Sequence, residues 1–135
     1  MNRTSIHQLG RHILIDAWGC SSESMNDPKL VERAVLDSIR EGGATLIDMV
    51  VHQFSPYGVT ATAALAESHI AIHTWPEHGY FAADIFFCGD LDPNKGIPAI
   101  LQTLGSTHHD VREITRGMPH AAMTTPPMAD ETLSS

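Results

Sequence analysis

Apolar residues recur along the chain with two different periods. His12 to Trp18 (HILIDAW) is apolar-rich and predicts a first strand. A polar, turn-like stretch from Ser21 to Asn26 follows. Asp27 then stands before Pro28 as a cap stands before a first helical residue. Leu30, Ala34, Val35, Leu36 and Ile39 form a stripe at helical spacing, which Gly42-Gly43 closes. Thr45 to Phe54 predicts a second strand, ended by a turn at Pro56-Tyr57-Gly58.

Val59 to Ala66 is a run of small and apolar residues. Beyond it, Ile70 and Ile72 alternate with His69, Ala71 and His73, as in a half-buried strand with two unlike faces. Pro76 to Gly79 makes a turn, and Tyr80 to Cys88 (YFAADIFFC) another strand. Asp92-Pro93 opens a short helix to about Leu104, weakened by Gly96 and Pro98. His109 to Thr115 alternates again and closes the set. Strands joined by short turns imply antiparallel pairing, with two helices to cover one face. The expected fold is therefore α+β, a two-layer sandwich of antiparallel β-sheet with helices on one face. With 135 residues the chain fits a single domain, taken as 1–117. From Met118, Pro119, Pro126 and Pro127 among Thr, Met and Ser read as a flexible tail, 118–135.

Charge narrows the function classes. The formal net charge is −8 and the eight Lys and Arg are scattered, so no basic stripe suits nucleic acid, whereas a cationic small molecule is compatible. No apolar run approaches the ~20 residues of a membrane span, and Met1 to Gly10 does not read as a secretory signal. Two cysteines, Cys20 and Cys88, make no disulfide framework; a reducing cytosol is the simplest compartment, and Cys20 reads as structural.

Candidate chemistry concentrates between Phe54 and Cys88. Serine is a weak nucleophile that needs a base or a strained neighbouring carbonyl. Histidine moves protons near neutrality, and a strand cysteine beside imidazole can donate a proton. Ser68, His69, His73 and Cys88 supply these groups. The nine histidines also raise a zinc site. His69 and His73 would suit zinc on a helix, but on a strand they stand about 13 Å apart. His108-His109 has no accompanying ligand pattern, and no metal is expected.

The segment AESHIAIHTWPEHGYFAADIFFCGD resembles the core of the bacterial S-adenosylmethionine decarboxylase proenzymes. GRHILIDAWGC at Gly10 to Cys20, GGAT at Gly42 to Thr45 and HQFSPYGVT at His52 to Thr60 extend the resemblance, which covers nearly all of Gly10 to Gly117. It implies an autocatalytic cut between Glu67 and Ser68. The Ser68 hydroxyl would attack the Glu67 carbonyl, and elimination would leave Ser68 as a pyruvoyl cofactor heading an α chain, 68–135, beside a β chain, 1–67. His73 matches the processing base and Cys88 the proton donor in turnover. Thr60 stands where the family often has a serine that supports processing. The pyruvoyl ketone would form a Schiff base with the substrate amine and act as an electron sink.

Substrate contacts carried over are Phe54 against adenine, Ile70 and Trp75 in the pocket lining, and Glu77 on the ribose hydroxyls. The implied product is decarboxylated S-adenosylmethionine, the aminopropyl donor of spermidine synthesis. The implied assembly is a homodimer of cleaved protomers, (αβ)₂, with each active site near the interface. Two rival readings are a decarboxylase of arginine or ornithine on the same fold, and a regulatory homologue that never matures.

Overall fold

The computed structural model describes residues 8–66 and 68–119. Glu67 and nearly all of the 118–135 tail therefore lie outside the described residues. Six strands form one antiparallel sheet in the order β2-β3-β4-β5-β1-β6. They are β1 Gly10–Trp18, β2 Leu46–Gln53, β3 Val59–Leu65, β4 Ser68–Trp75, β5 Tyr80–Cys88 and β6 His108–Arg116. Three helices accompany them: α1 Ser22–Met25, α2 Pro28–Gly42 and α3 Ile97–Leu104. The α+β sandwich expected from the alternation is the fold observed.

Local sequence explains most of these elements. The Asp27 carboxylate accepts from the amides of Lys29 and Leu30 at 3.1 and 3.2 Å, and Gly43 closes α2 at φ 74°. The buried stripe of α2 is Val31, Ala34, Val35, Ser38 and Ile39, whereas Leu36 faces outward. Two expectations shift. Ser21 to Asn26, expected as a turn, holds the single turn α1, because the Ser21 hydroxyl caps the Ser24 amide at 3.0 Å and Met25 is buried. The helix opening at Asp92 divides into a 3-10 turn, Pro93–Gly96, followed by α3. Gly96 is pressed against α2, where a Cβ would come 2.3 Å from Ser38 Oγ.

The two sheet faces differ as the alternation requires. Ile13, Ile15, Ala61, Ala63, Ile70, Ile72, Phe81, Ile85 and Phe87 point to the helix side and form the core with Val31, Val35, Ile100 and Leu104. Among the described residues, the opposite face carries no helix. Across it the register sets His52, Thr60, His73, Ala82, Asp16 and Asp110 in one row. His69, Phe86 and His12 stand in another, four residues along.

Gly79 joins this sheet to the turn that follows β4. Its φ is +59°, a Cβ there would lie 2.6 Å from the Cys20 carbonyl oxygen, and its own oxygen accepts the Cys20 amide at 3.0 Å. Gly79→Ala is expected to lower stability by about 1–3 kcal/mol, since the left-handed backbone is held against main-chain atoms that cannot yield. Urea unfolding would read this as a lower midpoint with an unchanged slope.

Candidate functional site

One cluster of side chains is assembled by the turn between β2 and β3. Asn26, at the end of α1, anchors that turn: its side-chain oxygen accepts the Gly58 amide at 2.9 Å, and its main-chain oxygen accepts Gln53 Nε2 at 2.9 Å. The buried Thr74 hydroxyl donates to Met25 O at 2.5 Å and accepts the Val59 amide at 2.9 Å, tying α1 to β3 and β4. An open cavity of about 350 Å³ results, lined by Phe54, Tyr57, Thr60, His73, Trp75 and Glu77 among others. Thr60 and His73 stand opposite each other in register, with Thr60 Oγ1 2.9 Å from His73 Nδ1.

Five of the residues singled out in the sequence thus meet in one place: Phe54, Thr60, His73, Trp75 and Glu77. Tyr57, in the SPYGVT stretch, was not singled out, yet it supplies a third aromatic wall. Only the fold of the turn reveals that its ring joins those of Phe54 and Trp75. Glu77 occupies the 3-10 turn Pro76–His78, directly after β4. Behind Trp75 lies Tyr80, with ring centroids 5.3 Å apart, and its hydroxyl donates to Asp16. Burial, and then the Asp16 carboxylate, push the Tyr80 phenol up to about 12, so it remains a neutral donor throughout the physiological range.

Ser68 and Cys88 form a second group at the other end of β4. Ser68 is the first residue of the strand, half-buried, and its Oγ accepts the Cys88 amide at 3.2 Å. Cys88 ends β5, and alternation sets its side chain on the open face. From Ser68 to His73 is five residues of extended chain, about 16 Å along the strand. One chain therefore does not bring its own Ser68 and His73 together. Ile70 belongs to neither group. The resemblance carried it over as a pocket residue, whereas the structure buries it completely on the helix face, because it alternates with His69 and Ala71.

Cys20 is buried near α1, and that burial pushes its thiol up. It takes part in neither group. The pair weighed for zinc, His69 and His73, is separated along the strand as its spacing requires. Among the described residues, metal-ligand atoms converge only at His12, His69 and Asp84, all within 4.8 Å of one another. Asp84 Oδ2 lies 2.8 Å from His12 Nε2 and 2.7 Å from His69 Nε2. Neither His12 nor Asp84 stood out in the sequence, since only the pairing of β1 and β4 with β5 brings them to His69.

Known proteins share both the sequence and the fold. The family model described as S-adenosylmethionine decarboxylase matches residues 11–117. A protein of Methanococcus maripaludis (strain C7) named S-adenosylmethionine decarboxylase proenzyme is 46% identical over 112 residues, spanning 82% of this chain and 92% of the relative. A protein of the same name from Caldicellulosiruptor saccharolyticus is 40% identical over 114 residues, spanning 84% of this chain and 92% of the relative. The crystal structure of the adenosylmethionine decarboxylase from Aquifex aeolicus VF5 superposes with a TM-score of 0.77 at 28% identity, covering 96% of this chain and 99% of that one. The chain belongs to the S-adenosylmethionine decarboxylase family.

Proposed function

We propose that this chain is a proenzyme that cuts itself between Glu67 and Ser68 and then decarboxylates S-adenosylmethionine. The observation that carries the substrate reading is the cavity shared by Phe54, Tyr57, Trp75 and Glu77, on a chain of this family. Aromatic faces suit adenine and attract the substrate's positive sulfonium. A carboxylate at the rim suits ribose hydroxyls, which donate to it. A pocket for arginine or ornithine needs no stacking walls of this kind.

The pyruvoyl group fits the residues present. The Ser68 hydroxyl is fixed by the Cys88 amide at the start of a strand, next to the bond it must attack. Once formed, the pyruvoyl carbonyl supplies an electron sink for the pair released with carbon dioxide. The protein's own groups do the remaining work. The Thr60 hydroxyl orients the His73 ring through its 2.9 Å contact, leaving Nε2 to take the proton from Ser68 during maturation. The Cys88 thiol, on the residue whose main-chain amide meets Ser68 Oγ, returns a proton to the substrate α-carbon.

Because Ser68 and His73 lie about 16 Å apart along one β4, the site is completed by a second copy. Face-to-face packing of two sheets through their helix-free faces would bring the Thr60–His73 pair of one copy toward the Ser68–Cys88 end of the other. A two-fold relation makes two such composite sites in an (αβ)₂ homodimer. Nothing in the pathway calls for a membrane, and no described helix is long and apolar enough to cross one.

Intact-mass measurement of the freshly purified chain is the test. Fragments 1–67 and 68–135 are expected, the second opening on a keto acid, together with carbon dioxide release from carboxyl-labelled S-adenosylmethionine. A single unbroken polypeptide, or cleaved protein that ignores this substrate, overturns the reading.

A further inference from the structure

Four side chains from four neighbouring strands form one hydrogen-bonded line across the open face, at the end nearest Ser68. His69 on β4 meets Asp84 on β5, Asp84 meets His12 on β1, and His12 Nδ1 lies 3.0 Å from Arg116 Nη1 on β6. Phe86 walls the line, with ring centroids 5.2 Å from His12 and 5.7 Å from His69.

The protons in this line can be assigned from what each group is able to do. A guanidinium only donates, so His12 Nδ1 accepts from Arg116 and the His12 proton sits on Nε2. That N–H donates to Asp84 Oδ2, and so does His69 Nε2, because an ionised carboxylate only accepts. A metal at this cluster would need the lone pair of His12 Nε2. Its proton would then move to Nδ1 and oppose the Arg116 donor. The separations of 2.7 and 2.8 Å are also those of charge-assisted hydrogen bonds.

We propose that this line is a positioning device for residue 68 in the matured enzyme, with Asp84 and His12 as positioning residues. The proposal rests on the self-cleavage reading above. Before scission, β4 is joined to β3 by the covalent chain through residues 66 and 67. Afterwards residue 68 is a chain end, and chain ends fray unless tied down. Ser68 Oγ leaves with Glu67 as part of its new carboxylate, so the Cys88 amide loses the side-chain partner it holds in the proenzyme. The nearest remaining side-chain anchor of the new terminus is His69, gripped by Asp84. Arg116 and His12 in turn hold Asp84 from the far side.

This role acts on turnover rather than on the cut. Asp84→Ala is expected to cleave to completion yet lose roughly 10²-fold in kcat, the cost of a reacting group misplaced by about 1 Å. KM should stay within about threefold, because the Phe54–Glu77 cavity is untouched. Asp84→Asn should recover most of the loss, since an amide oxygen in the same place can accept both imidazole N–H groups. A merely structural role would not separate kcat from KM or be rescued in this way. Wild-type kcat in Asp84→Ala, an uncleaved Asp84→Ala chain, or Asp84→Asn as slow as Asp84→Ala would each overturn the proposal. If Asp84→Ala does not fold, His12→Phe keeps the ring beside Phe86 and removes one N–H from the carboxylate. It should show a smaller drop in kcat at unchanged KM, and an unchanged kcat would sink the idea. Failure of the proposed function is seen separately, in a wild-type protein that neither cleaves nor releases carbon dioxide.

Discussion

Ser68→Ala is expected to accumulate as one full-length chain with no decarboxylase activity. The substitution removes the only oxygen that can displace the Glu67–Ser68 amide, and with it the source of the carbonyl that accepts electrons. Loss of carbon dioxide would then leave a bare carbanion. The fall in rate should reach the ~10⁶-fold or more that separates enzymes from uncatalysed chemistry. The fold should survive: alanine forfeits one half-buried hydrogen bond, to the Cys88 amide, worth about 1 kcal/mol. Denaturing electrophoresis and intact mass read the outcome directly, and a Ser68→Ala chain that still divides at 67/68 refutes the mechanism.

Two inactive variants should rescue each other. Ser68→Ala retains the Thr60–His73 pair, and His73→Ala retains the Ser68–Cys88 end. In a mixed dimer one composite site receives an intact half from each copy, while the other receives two defective halves. Co-expression with distinguishable tags is therefore expected to cut the His73→Ala chain, and to recover activity in about half of the sites of each mixed dimer. Alone, His73→Ala should mature roughly 10²–10⁴-fold more slowly, the usual contribution of a positioned base. Mixed dimers in which the His73→Ala chain stays whole would show that a single copy holds its complete site. That would contradict the ~16 Å of strand between Ser68 and His73.

Much of the fold was legible because the interactions that decide it are local. Asp27 and Gly43 bracket α2 through contacts within one turn, and the Ile70–Ile72 alternation assigns the faces of β4 without knowledge of its neighbours. Leu36 joins the helical stripe on hydrophobicity alone, yet it points to solvent because the α2 surface facing the sheet centres on Val31, Val35 and Ile39. The α1 turn has no signature in the pattern because three polar residues and a methionine carry no period, and its existence rests on one capping hydroxyl and that buried methionine.

The candidate site divides along the same line. Strand arithmetic that separates His69 from His73 also separates Ser68 from His73, so the spacing alone keeps those two apart on one strand. The same alternation that puts His69 on the open face puts Ile70 in the core, against the pocket role its resemblance suggested. Asn26, Tyr57, His12 and Asp84 had no local signal at all. Each acquires its place from partners 15 or more residues away, or from the shape of a turn that such a partner holds.

The order of elements, the two faces of each strand and the chemistry available near Ser68 follow from the amino-acid sequence by itself, because periodicity, capping and residue type act over a few positions. Register across six strands, the cavity around Phe54 and Glu77, and the four-strand line through Asp84 were decided only in the tertiary structure. Those features depend on which residues face one another across the sheet. Core packing and turn geometry select that pairing over the whole chain at once.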